Sequence, residues 1–181
     1  MKKSYNDKGI SLIEVLIVVV IIGVMTGAVT MTFSIVHSRN PSNCISNIDS
    51  LLEEVKSEAM SKERPPYLVI YQSSDEAYPG YYAAKTTSLA SYTEQPQSDT
   101  KIGTNRIKLQ ITLSDHSVID IAEKEVFITF DRASGSMKNC SVAVKGTVPV
   151  EVSTPERIAA TGGGRESTIR IIAETGKHFI E

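Results

Sequence analysis

The sequence predicts an α+β fold, a long N-terminal helix packed against an antiparallel β-sheet head. Three observations carry that prediction. Apolar residues crowd between Ile10 and Val36, with no formal charge from residue 15 to residue 38. A second segment, 44–64, spaces its apolar residues at steps of three and four, the repeat of one helix face. Beyond Pro65 and Pro66 the pattern becomes short β-branched and aromatic runs separated by turn residues, the signature of strands.

The first element is KGISLIEVLIVVVIIGVM and its continuation. As a helix, residues 10–36 span about 40 Å, enough to cross roughly 30 Å of hydrocarbon, so a single membrane-spanning helix is expected. Lys2, Lys3 and Lys8 stand before it, which places the N-terminus in the cytoplasm and the remainder outside. A cleaved secretory signal would share that basic start. The apolar run is too long for one, however, contains Glu14, and is followed by no small-x-small cleavage site. Glu14 is the anomaly, because an ionised carboxylate at the centre of a span costs about 2.5–3.5 kcal/mol and implies a function and a partner.

The helix is expected to continue outward. Ile45, Ile48, Leu52, Val55 and Ala59 form one apolar stripe, while Asp49, Glu53, Lys56, Ser57 and Lys62 occupy the rest of the wheel. Pro41 reads either as a kink in one long helix or as the opening residue of a second, with Asn40 as its N-cap. One kinked helix is preferred, since no loop-length segment separates the halves. Pro65 and Pro66 end it, because a residue before proline is pushed out of the α region.

Strands are then expected over 67–72, 80–86, 106–113, 117–121, 126–131, 140–145, 147–152 and 167–174, with a turn at Thr175 and Gly176 into 177–181. Segments 88–104 and 154–166, the latter containing Gly162, Gly163 and Gly164, read as long exposed loops. With no helix between the strands the sheet should be antiparallel, and the 45–59 stripe is the surface that can cover its apolar face.

With 181 residues, 41% hydrophobic and 22% charged, the chain has the composition of a globular protein rather than a disordered one. Its net charge of −2 argues against a generally basic, nucleic-acid-coating surface. Cys44 and Cys140 fall on the outer side, where a possible disulfide would tie helix to sheet; two buried free thiols are the other reading. Arg157, Arg165, Arg170 and Lys177 form a possible basic patch, set against a solvated face balanced by Glu156, Glu166 and Glu174. Tyr67, Tyr71, Tyr78, Tyr81, Tyr82 and Tyr92 mark either a contact surface or ordinary strands, and strands are the preferred reading. His37, His116 and His178 lack metal-ligand spacing, Ser114-Asp115-His116 reads as a turn, and no motif supplies catalytic machinery. The chain is therefore expected not to be an enzyme and to need no cofactor or metal.

Gly9, then Ile10-Ser11-Leu12-Ile13-Glu14, with lysines before and an unbroken apolar helix after, resembles the class III signal of type IV pilins and type II secretion pseudopilins. Glu14 is the fifth residue counted from Ile10, the position at which that signal carries its glutamate. Ile10 and Ser11 stand where the family more often has phenylalanine and threonine. The resemblance implies cleavage between Gly9 and Ile10 by a prepilin peptidase, N-methylation of Ile10, and a role for Glu14 in subunit assembly. The new ammonium at Ile10 and a neighbour's Glu14, about 6 Å along the stem, would neutralise each other in the correct register. The implied partners are the peptidase, other pilin or pseudopilin subunits, an inner-membrane assembly platform and the membrane itself.

The domains expected on this basis are a leader over 1–9, a transmembrane and filament-core helix over 10–36, an amphipathic outer half of the stem over 37–64, and an extracytoplasmic β-rich head over 65–181. The head, with the phrase VFITFDRASGSM and a terminal hairpin, is similar to H-type minor pseudopilins and related minor pilins. The function implied is a structural subunit of a type IV pilus, competence pilus or type II secretion filament. The alternatives are a single-pass anchored binding domain that never polymerises and a DNA-binding minor pilin.

Overall fold

The computed structural model describes residues 12–89 and 92–181, with helix side chains described for residues 13, 15–21 and from 41 onward. The chain divides into two compact units, Met1–His37 and Ser38–Glu181.

Helix α1 runs over Leu12–Ser61 with Pro41 inside it, so Pro41 does not open a second helix. Proline has no N–H to give to the carbonyl four residues earlier, at position 37, and the division into units falls directly after that residue. Within the second unit the expected stripe is buried: Ile45, Ile48, Leu52, Val55 and Ala59 are fully inaccessible, together with Cys44. Burial at about 1.5–3 kcal/mol for each large aliphatic side chain makes this face the main anchor of the helix to the head.

Among the described residues eleven strands follow: β1 (Tyr67–Gln72), β2 (Tyr81–Thr86), β3 (Thr100–Gly103), β4 (Lys108–Leu113), β5 (Val118–Asp120), β6 (Lys124–Ile128), β7 (Ser141–Val144), β8 (Val150–Glu151), β9 (Pro155–Gly162), β10 (Arg165–Ile172) and β11 (Lys177–Ile180). They form two sheets, not the single sheet expected. One has six strands in the order β3-β2-β1-β6-β7-β8, and the other five in the order β11-β10-β9-β4-β5. Every strand pair is antiparallel. Residues from both sheets join the helix stripe in one apolar cluster, including Leu68, Ile70, Ile111, Val126, Ile158 and Ile169.

Two strands lie where loops were expected. The first, β3, pairs only with β2 and forms the edge of the larger sheet, inside the 88–104 segment. The second, β9, lies within 154–166 and is the central strand of the smaller sheet, paired with β4 on one side and β10 on the other. Its sequence PERIAATG holds only Ile158 and Thr161 as strand formers, so its conformation is imposed largely by its neighbours' ladders. Gly163 and Gly164, both at positive φ, form the two-residue hairpin from β9 to β10, as Gly162 pairs with Arg165. The glycine triplet is thus hairpin chemistry and not part of a loose loop.

The strand β1 is buried on both faces. Leu68 and Ile70 enter the main core, whereas Val69 and Tyr71 join Tyr82, Phe127 and Ala143 in a second cluster on the opposite face. Leu89 and Tyr92 pack onto that second cluster. Residues 87–89 and 92–99 therefore cover the outer face of the larger sheet. Their anchor is Asp99, whose Oδ2 accepts a 2.6 Å hydrogen bond from Tyr71 Oη and a 3.1 Å bond from the Gln95 N–H.

Candidate functional site

The residues of the N-terminal signal come first. Gly9 and Ile10, the expected cleavage and methylation positions, lie outside the described residues. Glu14 is within α1, with its side chain outside the description. Around it Ile13, Val15, Leu16, Ile17, Val18, Val19, Val20 and Ile21 are each between 50% and 65% exposed. Consecutive helical residues point in all directions, so this part of the helix is apolar around its whole circumference, which is the pattern of a segment that needs lipid or other helices around it. Among the described residues no helix is long and apolar enough to cross a membrane. The span expected over 10–36 therefore rests on the sequence, since side chains 22–40 fall outside the description.

The possible disulfide is corrected: Cys44 and Cys140 are both free and buried. Cys44 packs beside Gly103 at the end of β3, and Cys140 immediately precedes β7. Strand order puts β3 and β7 four spacings apart, roughly 19 Å along the sheet at about 4.8 Å each, and Cα atoms beyond about 7 Å cannot be bridged. The Cys140 thiol instead donates to the Ser153 carbonyl at 3.3 Å. Burial pushes both thiols up to about 12, which suppresses the reactive thiolate.

The four basic residues all stand on strands of the smaller sheet, Arg157 and Arg165 included, which fall in the segment expected to be an exposed loop. Arg157 and Arg170 are direct cross-strand partners of β9 and β10, on the exposed face. Each meets an acid: Arg157 Nη2 lies 3.0 Å from Glu166 Oε1, and Arg170 Nη1 lies 4.0 Å from Glu181 Oε1. Arg165 sits at the hairpin end of β10, and Lys177 opens β11. The structure thus brings Arg157 and Arg170 together and balances both, while Arg165 and Lys177 stand at opposite ends of the β10–β11 region.

Most of the clustered tyrosines are structural. Tyr71, Tyr81 and Tyr82 are buried, and Tyr71 stacks on Tyr82 with ring centroids 6.0 Å apart. Residues 114–116 form the β4–β5 turn as expected, with His116 at φ 66°.

Two polar groupings escaped the sequence reading. His178 on β11 has a nearly inaccessible side chain, its Nε2 3.4 Å from both Asp49 Oδ1 and Glu53 Oε1 of α1. The i,i+4 spacing of the two acids was a visible signal, but the histidine's approach depends on the hairpin. The second grouping joins Glu94 of the covering segment, Glu125 of β6 and Lys145 beyond β7, where Lys145 Nζ lies 3.1 Å from Glu94 Oε1. Nothing in the spacing of 94, 125 and 145 announces it. Among the described residues, no group of three or more His, Cys, Asp or Glu side chains is placed to hold a metal ion.

The model of the prokaryotic N-terminal methylation motif matches residues 4–30, which include Gly9, Ile10 and Glu14. No curated protein and no solved structure matches the chain. The matched motif is the class III signal of type IV pilin-like precursors, and this chain carries it ahead of an α+β head.

Proposed function

We propose that the chain is a structural subunit, a minor pilin or pseudopilin, of a type IV pilus, competence pilus or type II secretion filament. One observation carries the reading: the matched methylation motif includes helix residues 15–21, which are apolar on every side and exposed in the isolated chain. Such a surface is stable in a bilayer and equally in a bundle of identical stems, which is what a subunit moving from membrane to filament requires.

In this reading a prepilin peptidase cuts between Gly9 and Ile10, where a residue without Cβ lets the backbone extend into an active site. The new N-terminus at Ile10 is methylated. Glu14 then sets the register of each incoming subunit, because a carboxylate buried among stems is tolerated only beside a neighbour's ammonium. The N-terminus begins in the cytoplasm and the head outside it, and the assembly platform of the inner membrane draws subunits into the filament. The role is mechanical rather than catalytic. The pairing of Arg157 with Glu166 and of Arg170 with Glu181 supports a solvated face there rather than a DNA-binding one.

The test is Glu14→Val in the native host. The proposal expects unchanged membrane insertion and leader cleavage with loss of the subunit from sheared filaments. Normal incorporation of the variant would contradict the role given to Glu14. Complete absence of the unaltered chain from filaments would favour a single-pass anchored domain instead.

A further inference from the structure

The cover over the larger sheet is held by two pins of different chemistry. Beneath it Val69, Tyr71, Tyr82, Phe127 and Ala143 form the buried outer cluster, with the Tyr92 ring edge to face on Phe127 at 5.8 Å. The first pin is Asp99, whose Oδ2 accepts from Tyr71 Oη at 2.6 Å and, more loosely, from Tyr92 Oη at 3.4 Å. Burial, then the hydrogen bond to Asp99, raises Tyr71, so this pin keeps its donor across the neutral range.

The second pin is a carboxyl pair that bridges cover and sheet. Glu125 of β6 is only 9% exposed and lies in hydrogen-bond contact with Glu94 of the cover. Glu94 has two further neighbours: Lys145 Nζ, beyond β7, is 3.1 Å from its Oε1, and Ser74 Oγ donates to its Oε2 at 3.3 Å. With one proton shared by the two acids, a single negative charge faces a single ammonium and the cluster is balanced. Without that proton two touching carboxylates face one ammonium, which also donates to the Gln72 carbonyl, and the like charges repel. A cleft of 440 Å³ lined by Glu94, Glu125 and Lys145 gives water a path to the proton. From this arrangement we infer that the cover is a proton-latched strap: loss of the proton shared by Glu94 and Glu125 frees the cover around Tyr92 and Glu94 and uncovers Phe127, Val69 and Ala143, while Asp99 keeps the far end tied.

The titratable groups that face Glu125 are Glu94 and Tyr92 from the cover and Lys145 from beyond β7. Desolvation first, then the Glu94 carboxylate, raises Glu125 from an ordinary 4.5 to about 7 while the strap is closed. Opening returns it to water and releases the proton, so opening becomes easier as pH rises between those values and levels off above them.

The test is thiol labelling of the full chain in detergent micelles, with Ala143→Cys as the probe beneath the strap and N-ethylmaleimide as the reagent. Val69→Cys, in the same cluster, repeats the measurement should the first substitution disturb the fold. The buried Cys44 and Cys140 report opening of the whole head. Between about pH 5.5 and about pH 8 the labelling rate of the introduced thiol, divided by that of a free thiol at the same pH, should rise about tenfold or more, and it should exceed that of Cys44 and Cys140 throughout. Adding Glu125→Gln, whose amide donates to Glu94 as the protonated acid does, should remove the rise. A corrected rate indifferent to pH, an equal rise with Glu125→Gln, or an introduced thiol no faster than Cys44 and Cys140 would each overturn the latch.

Discussion

Gly176→Ala probes the place where turns from the two sheets meet. Gly176 lies in the β10–β11 turn at φ +59°, and a Cβ built on it would stand 2.0 Å from the Gly135 carbonyl oxygen of the turn after β6. A carbon–oxygen contact normally needs about 3.3 Å, so one turn must retreat by roughly 1.3 Å. Neither is free to do so. Lys56 Nζ of α1 donates to the Thr175 and Gly176 carbonyls at 3.2 and 2.9 Å. On the other side, Asp131 Oδ1 accepts from the backbone N–H groups of Ala133 and Ser134, both at 3.0 Å.

The left-handed conformation alone costs alanine about 1–2 kcal/mol, and the forced displacement adds about 1–3 kcal/mol by analogy with overpacked cores. Gly164→Ala isolates the first contribution, because Gly164 has φ +75° and nothing within 4 Å of a built Cβ. At about 2–4 °C per kcal/mol for a chain of this size, thermal unfolding of Gly176→Ala should fall roughly 2–12 °C below that of Gly164→Ala. Equal midpoints for the two variants would refute the packing of the Gly176 turn against the Gly135 turn.

Two further outcomes follow from the head. Burial, then the neighbouring Glu94 carboxylate, push Glu125 up to about 7 in the fold against an ordinary value of 4.5, so between those values the folded chain keeps a proton that the unfolded chain has lost. Stability should fall as pH rises through this window and level off above it, and Glu125→Gln should flatten the slope when unfolding midpoints are compared across pH. The buried Cys44 and Cys140 thiols should resist iodoacetamide in the native chain and both be alkylated on denaturation. A peptide bridged between Cys44 and Cys140 in a non-reducing digest would contradict the strand order.

The parts of the fold that were legible in the sequence are those where one face repeats. The stripe at 45, 48, 52, 55 and 59 was plain because a helix buries one side, and all five residues are inaccessible. YLVIYQ read as a strand at its observed limits because strong strand formers fill it. By contrast β9 was hidden, since Ala159, Ala160 and Gly162 have weak preferences and follow the β4 and β10 ladders. The split into two sheets depends on which strands pair, which local pattern does not encode. The signal motif around Gly9, Ile10 and Glu14 was readable because it lies in one short stretch, and the matched motif spans it. Glu94, Glu125 and Lys145 were not, because only the fold gathers them.

The most direct test of the central claim is the intact mass and N-terminal sequence of the chain from filaments sheared off native cells, beside the same measurement on the membrane fraction. The account predicts a filament species beginning at Ile10 and carrying one added N-methyl group. A chain that still begins at Met1 and stays entirely in the membrane fraction would contradict it.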